Sequence, residues 1–123
     1  MSKKINLSNV KAIRPWKNGV MLVKVTGETD FVSEKDCPAT EIYEKAEQKG
    51  FALVVNRYIN LNLVEGVNKN IEPANDKYEM IISFEEGNNE IFNCKSENNA
   101  QYIVETIRGI VSSYQNRNKG LTK

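Results

Sequence analysis

Residues 96–115 read SENNAQYIVETIRGIVSSYQ and contain the clearest helical pattern in the chain. Apolar side chains recur every three or four residues and form one stripe along a predicted helix: Ala100, Ile103, Val104, Ile107, Val111 and Tyr114. Ser96 precedes the stripe, and its hydroxyl can accept a hydrogen bond from a free amide of the first turn. Because a single amphipathic helix has to bury its stripe, the segment predicts a helix packed on a sheet formed by the residues before it.

A polar row runs beside this stripe, with Gln101, Arg108 and Gln115 spaced seven residues apart. With a helical step of about 100° per residue, Arg108 lies about 90° from the centre of the stripe. An arginine at the boundary of core and solvent can hold a phosphate or stack on a base. The alternative is a surface side chain that forms a weak ion pair with Glu105 or Glu97.

The residues before this helix predict strands joined by turns. Apolar alternation favours strands over 4–16, 20–25, 29–32, 51–55, 58–67, 77–84 and 90–94, with turns at Asn18-Gly19 and 85–88 and a polar loop over 68–76. A first helix is expected over 38–49, because Pro38 is suited to the first helical position. The predicted fold class is α+β: a mainly antiparallel sheet of six or seven strands with two helices.

The length of 123 residues fits one domain, 1–123, with a tail over 117–123. Two halves, about 1–50 and 51–116, each run strand, glycine turn, strand and helix. This pattern leaves two origins open: an internal duplication, or the separate use of a common hairpin-and-helix unit.

Groups that usually carry catalysis are missing from the sequence. There is no histidine, which removes the usual general base and zinc ligand. Glycine-rich phosphate-binding motifs are also absent. Cys37 and Cys94 do not form a paired motif; Cys37 either has its pKa lowered by the helix that follows or is a small apolar filler. We therefore expect a protein that is not an enzyme, with no catalytic residue, no metal site and no cofactor.

The charges are distributed unevenly along the chain. Residues 1–27 contain six Lys or Arg and no acid, residues 108–123 contain four and no acid, and all 16 acidic residues lie between them. Basic ends on an acidic body indicate an anionic partner at one surface, or simply solvated tails.

Four further residues are candidates for binding such an anion. Asn93 and Phe84 precede the last helix in predicted strands, where an amide can bond a base edge and a phenyl ring can stack; otherwise Asn93 faces solvent and Phe84 belongs to the core. Arg57 and Arg117 are further possible partners for a phosphate. Trp16, beside Lys17, either stacks on a base or anchors the end of a strand.

The sequence contains no apolar run long enough to cross a bilayer. Residues 1–9 lack the apolar core of a signal peptide. We therefore expect a cytoplasmic protein that does not associate with membranes.

The segment 51–67, FALVVNRYINLNLVEGV, resembles the LytTR class of DNA-binding domains. The residue types that match are Phe51, Arg57, Tyr58, Ile59 and Asn60, whereas the histidine before the arginine and the small residue after it are missing. This resemblance implies a small DNA-binding transcriptional regulator, with nucleic acid as the partner.

In size and layout the whole chain is similar to the first-described family of phage anti-Thoeris proteins, which are cyclic-nucleotide sponges. An arginine on the last helix and polar and aromatic residues on the strands before it, here Arg108, Asn93 and Phe84, carry this likeness. The resemblance implies binding and sequestration of a cyclic ADP-ribose isomer without cleavage, in the host bacterial cytoplasm. It also implies a homodimer or higher homo-oligomer that shares the pocket between protomers. A third hypothesis is an inhibitor that binds another protein through the acidic middle of the chain.

Overall fold

The computed structural model describes residues 5–84 and 88–121, and the side chains of these residues as far as 117. Helices and antiparallel sheets together make an α+β fold, which confirms the predicted class. The contacts divide the chain between Leu63 and Val64 into two compact units. The described residues form eight strands, in sheets of five and three, where six or seven strands were expected.

The first unit contains a five-stranded antiparallel sheet and one helix. Its elements are β1 (Val10–Trp16), β2 (Gly19–Lys24), β3 (Thr29–Ser33), α1 (Ala39–Gln48), β4 (Phe51–Val54) and β5 (Arg57–Asn60). The strand order in the sheet is β3-β2-β1-β5-β4. Residues 5–9 precede β1 and are not part of a strand, although the expected strand began at residue 4.

The predicted β1–β2 hairpin is confirmed, but its turn lies one residue earlier than Asn18-Gly19. Trp16 pairs with Gly19, so the two turn residues are Lys17, with a positive φ of 43°, and Asn18. Gly19 is instead required by packing, since a Cβ atom there would lie 2.0 Å from the carbonyl oxygen of Val32 on β3. A close approach of two strands, and not turn geometry, explains this glycine.

Helix α1 covers the core of the first unit. Pro38 precedes the helix as its cap residue, and the first free amide, that of Ala39, donates to the Glu34 carboxylate at 2.9 Å. Ile42 and Ala46 are buried, and the ring of Tyr43 stacks on that of Tyr58 at 4.6 Å between centroids. The buried core cluster comprises Ile5, Leu7, Val10, Ile13, Val20, Leu22, Val32, Cys37, Ile42, Ala46 and Phe51.

The second unit contains a three-stranded antiparallel sheet and one long helix. Its elements are β6 (Val64–Glu72), a 3₁₀ helix (Pro73–Asn75), β7 (Lys77–Phe84), β8 (Glu90–Asn93) and α2 (Glu97–Leu121). The order β6-β7-β8 places β6 at one edge of this sheet. The expected turn at 85–88 falls largely on residues 85–87, which lie outside the described part of the chain.

The single strand expected over 58–67 is two strands, because a turn that begins at Asn60 ends β5. The Asn60 side-chain oxygen accepts from the amide of Asn62 at 3.1 Å, and the amide of Leu63 donates to the Asn60 carbonyl at 3.1 Å. Asparagine favours such turns because its side chain bonds the backbone two residues further on. The expected polar loop over 68–76 was also wrong in part, since β6 continues to Glu72.

Helix α2 begins as predicted and packs on β6 and β7. The amide of Asn99 donates to the Ser96 hydroxyl at 3.1 Å, which confirms Ser96 as the N-cap. Of the predicted stripe, Ala100, Val104, Ile107 and Val111 are buried, and Ile103 and Tyr114 are half-buried. Within the described residues, neither helix combines the length and apolar character that crossing a bilayer requires.

Candidate functional site

Arg108 bridges helix α2 to the edge strand β6. Its Nε donates to the carbonyl oxygen of Val67 at 2.7 Å, and its Nη2 donates to Oδ1 of Asn68 at 3.2 Å. A guanidinium carries five N–H donors in a rigid fork. Two bonds therefore fix the orientation of the group, and its remaining donors make no hydrogen bond to any described residue.

The other two members of the polar row also contact β6. Gln115 Nε2 donates to the carbonyl oxygen of Val64 at 3.0 Å, and the Lys69 ammonium donates to Oε1 of Gln101. Seven residues advance a helix by about 10.5 Å, so the row extends about 21 Å from Gln101 to Gln115 and contacts β6 between Val64 and Lys69. Arg108 and Gln115 thereby donate to two backbone carbonyl groups of an edge strand, where unpaired backbone groups are costly.

A groove of about 400 Å³ lies between the start of β6 and this face of α2. Its lining residues are Val64, Glu65, Gly66, Val67, Asn68, Arg108, Val111, Ser112, Gln115 and Asn116. Arg108 is the one cationic residue in this set, and Glu65 is the one acidic residue. The remaining polar groups are amides and a hydroxyl, which can both donate and accept hydrogen bonds. The groove can therefore hold an anion at the guanidinium and a heterocyclic edge at the amides.

The structure does not bring Phe84 and Asn93 to this groove. Phe84 is 3% exposed, so its alternative interpretation as a core residue is confirmed. Asn93 lies on β8, where it pairs with Glu79 of β7, and β7 separates β8 from β6. Asn93 is exposed while the adjacent Phe92 is buried, so the two side chains point to opposite faces of the sheet.

The two further arginine candidates also lie elsewhere. Arg57 belongs to the first unit, where its Nε donates to Oδ1 of Asn56 at 3.1 Å. Arg117 is an exposed residue of α2 and is not among the residues that line the groove. Of the five candidate residues, the groove contains Arg108 alone.

Sequence reasoning missed Ser112, Asn116 and Asn68 as groove residues. Ser112 and Asn116 follow Arg108 at four and eight residues, a spacing that places them on the same helical face. That periodicity was available in the sequence. Asn68 carried no such signal, because it was assigned to a loop and the residue meets α2 only through the tertiary fold.

The two cysteine side chains are described, and neither has the lowered pKa of an activated thiol. Burial, together with the neighbouring Glu41 carboxylate, raises the pKa of the Cys37 thiol, so this thiol is not activated by the helix that follows it. Burial likewise raises the pKa of Cys94. Within the ranges 5–84 and 88–121, no group of three or more His, Cys, Asp or Glu side chains is arranged to hold a metal ion.

No protein-family model, no curated protein and no solved structure matches the chain.

Proposed function

We propose that the chain binds an adenine-containing cyclic nucleotide of the cyclic ADP-ribose type and sequesters it without cleavage, and so counteracts a bacterial anti-phage defence. One observation carries the proposal: the Arg108 guanidinium is held in place by Val67 and Asn68 while other N–H groups remain for a ligand. A guanidinium fixed in this way can form charge-assisted hydrogen bonds to a pyrophosphate at little cost in side-chain entropy.

The remaining groove residues suit binding better than chemistry. Amides of Asn68, Gln115 and Asn116 can bond the edge of an adenine, and the Ser112 hydroxyl can bond a ribose. General acid–base catalysis needs a side chain positioned to transfer a proton. The described lining residues include one carboxylate, the exposed side chain of Glu65, and no histidine, cysteine or lysine.

The proposal includes a homodimer or higher homo-oligomer. No aromatic residue is among the described residues that line the groove, so a ring to stack on the adenine would come from a second copy. Tyr102 and Ile110 on α2 are 70% and 40% exposed, and a second copy would cover them. Light scattering tests this point, and a strict monomer at micromolar concentration, with and without ligand, would remove the shared pocket.

Mass spectrometry tests sequestration without turnover. The protein is incubated with cyclic ADP-ribose isomers, separated from free ligand and then heated to release what it holds. We expect one isomer to be retained and to be recovered with unchanged mass. Recovery of linear ADP-ribose, above the level in a protein-free sample, would show an enzyme instead.

The LytTR-like alternative gains no specific support from the structure. The matching segment covers the β4–β5 hairpin and the start of β6, and its matching residues Phe51, Ile59 and Asn60 are buried. A salt titration separates the two functions, because duplex DNA binding weakens steeply with salt through counterion release. Binding of a small nucleotide in a groove responds far less. Tight, steeply salt-dependent binding of duplex DNA would favour the regulator.

A further inference from the structure

We infer that the first unit contains a separate binding site for a small organic anion with an apolar body. The site is a cavity of about 660 Å³, a volume typical of small-molecule pockets. Its lining residues are Ile5, Asn6, Leu7, Ser8, Lys45, Lys49, Phe51, Asn60, Asn62 and Leu63. All of them belong to the first unit, so this cavity is distinct from the groove at Arg108.

One part of the cavity wall is apolar. Ile5, Leu7 and Phe51 are buried members of the core cluster, and Leu63 is half-buried. A cavity with such walls favours a ligand that removes apolar surface from water. The body of the ligand is therefore expected to be a hydrocarbon chain or an aromatic ring system and not a sugar.

The charged part of the lining is entirely cationic. Lys45 and Lys49, one helical turn apart at the end of α1, both line the cavity, and no acidic residue is among the described lining residues. The Lys45 ammonium donates to the carbonyl oxygen of Ile5, and an ammonium has three donors, so further donors remain. The Lys49 ammonium is exposed and makes no hydrogen bond or ion pair with a described residue. Because the described lining has two ammonium groups and no carboxylate, it favours a ligand with an anionic head group over a neutral or cationic one.

A network of amide hydrogen bonds holds the wall between these groups. Asn60 Nδ2 donates to the carbonyl oxygen of Val10 at 3.0 Å, and Oδ1 of Asn60 accepts from Nδ2 of Asn62 at 2.9 Å. Asn62 Nδ2 also lies 2.9 Å from the carbonyl oxygen of Lys49, where it acts as donor. These bonds tie β1, the turn after β5 and the end of α1 together without a ligand. A preformed wall of this kind lowers the entropic cost of binding.

A pair of fluorescent probes tests the charge and the apolar body together. 8-Anilinonaphthalene-1-sulfonate has the required anionic head and aromatic body, and N-phenyl-1-naphthylamine has the same body without the sulfonate. We expect the sulfonate to bind one site per chain more tightly than the neutral probe. Amide chemical-shift changes in an NMR titration should cluster at residues 5–8, 45–49 and 60–63. Several weak sites, or shifts concentrated elsewhere, would overturn the inference.

Matched lysine variants identify the groups that hold the anion. Lys49→Gln should lower the affinity for the sulfonate probe about fivefold, as expected for loss of a partly solvated ion pair. The affinity for the neutral probe should not change. Lys35→Gln is the control, because Lys35 is an exposed lysine of the same unit that does not line this cavity. Equal affinity of wild type and Lys49→Gln for the sulfonate would contradict the assignment.

Displacement of the bound sulfonate distinguishes two sources of the head group. Octanoate, octyl phosphate and 1-octanol share one apolar body. Displacement by octanoate indicates a carboxylate ligand, and displacement by octyl phosphate indicates a phosphate ligand. Displacement by 1-octanol at equal concentration, or by none of the three, would contradict an anion site.

Discussion

The Nε atom of Arg108 lies 2.7 Å from the carbonyl oxygen of Val67, which makes this arginine a structural link between α2 and the edge strand β6. The same geometry places a fixed cation among the residues that line the groove between α2 and β6. Arg108 therefore has two separable roles. One contributes to the free energy of unfolding, and the other is proposed to contribute to ligand affinity.

The structural role predicts a measurable loss of stability for Arg108→Ala without ligand. Removing the donor leaves the Val67 carbonyl without its partner, which should lower the free energy of unfolding by about 1 kcal/mol. Lys95→Ala, at an exposed residue of the same unit, should change it by less than about 0.5 kcal/mol. Urea unfolding measures both, and equal stability of Arg108→Ala and wild type would show that the bond to Val67 contributes nothing.

The buried stripe of α2 predicts a larger loss for Ile107→Ala. Ile107 is buried, and truncating a buried isoleucine costs about 2–5 kcal/mol. Ile91→Ala is the matched control. Because Ile91 is exposed on β8, this variant should lose much less free energy of unfolding than Ile107→Ala. If the two variants unfolded at the same urea concentration, Ile107 would not be part of the core.

Replacement of two glycines by alanine should change the free energy of unfolding in opposite directions. Gly19→Ala places a methyl group against the Val32 carbonyl and should destabilise the fold by about 1–3 kcal/mol, as overpacking does. Gly109 lies inside α2, and beyond the backbone of its own helix no described atom comes within 4 Å of the place that a methyl group would take. Gly109→Ala should therefore stabilise the fold by about 0.5–1 kcal/mol. Thermal unfolding of the two variants checks the signs, and stabilisation by Gly19→Ala would contradict the β2–β3 packing.

Alkaline pH should destabilise the fold through two neutral groups, the buried Cys37 and the half-buried Tyr58. Burial raises the pKa of Tyr58 and of Cys37 above their ordinary values of 10.0 and 9.0. Because the folded chain holds these protons more tightly than the unfolded chain, their contribution is complete below about pH 9 and is lost as pH rises through the folded-state pKa values. Urea unfolding between neutral and alkaline pH measures this slope. Tyr58→Phe should reduce the slope, and an identical slope would exclude Tyr58 as a source.

Local patterns in the sequence were sufficient to predict α2 and several strands. The stripe through Ala100 and Ile107, and the cap at Ser96, depend on residues within one or two turns of each other. The break between β5 and β6 was missed because Asn60 was interpreted by its place in an alternating pattern. Its side-chain nitrogen instead donates to Val10, fifty residues away, and its side-chain oxygen accepts from the amide of Asn62 in the turn that ends β5.

The candidate site could be predicted only in part. The boundary position of Arg108 followed from helical geometry, and the structure places Arg108 at the edge of α2 as expected. Its predicted companions, Phe84 and Asn93, were chosen from residue type, which cannot tell which face of a strand is covered. The cavity at Lys45 and Lys49 was also not predicted, because residues 5–8 reach it from a distant part of the chain.

Isothermal titration of cyclic ADP-ribose isomers into wild type and Arg108→Ala tests the central proposal most directly. Arg108 is an exposed residue, and loss of its charge-assisted hydrogen bonds should lower the binding free energy of the retained isomer by about 1.5–3 kcal/mol. The affinity of Arg108→Lys, which keeps the charge without the planar fork, should lie between those of wild type and Arg108→Ala. Lys95→Ala should bind with the affinity of wild type. Circular dichroism confirms that each variant is folded. Equal affinity of folded Arg108→Ala and wild type would contradict a nucleotide site at Arg108.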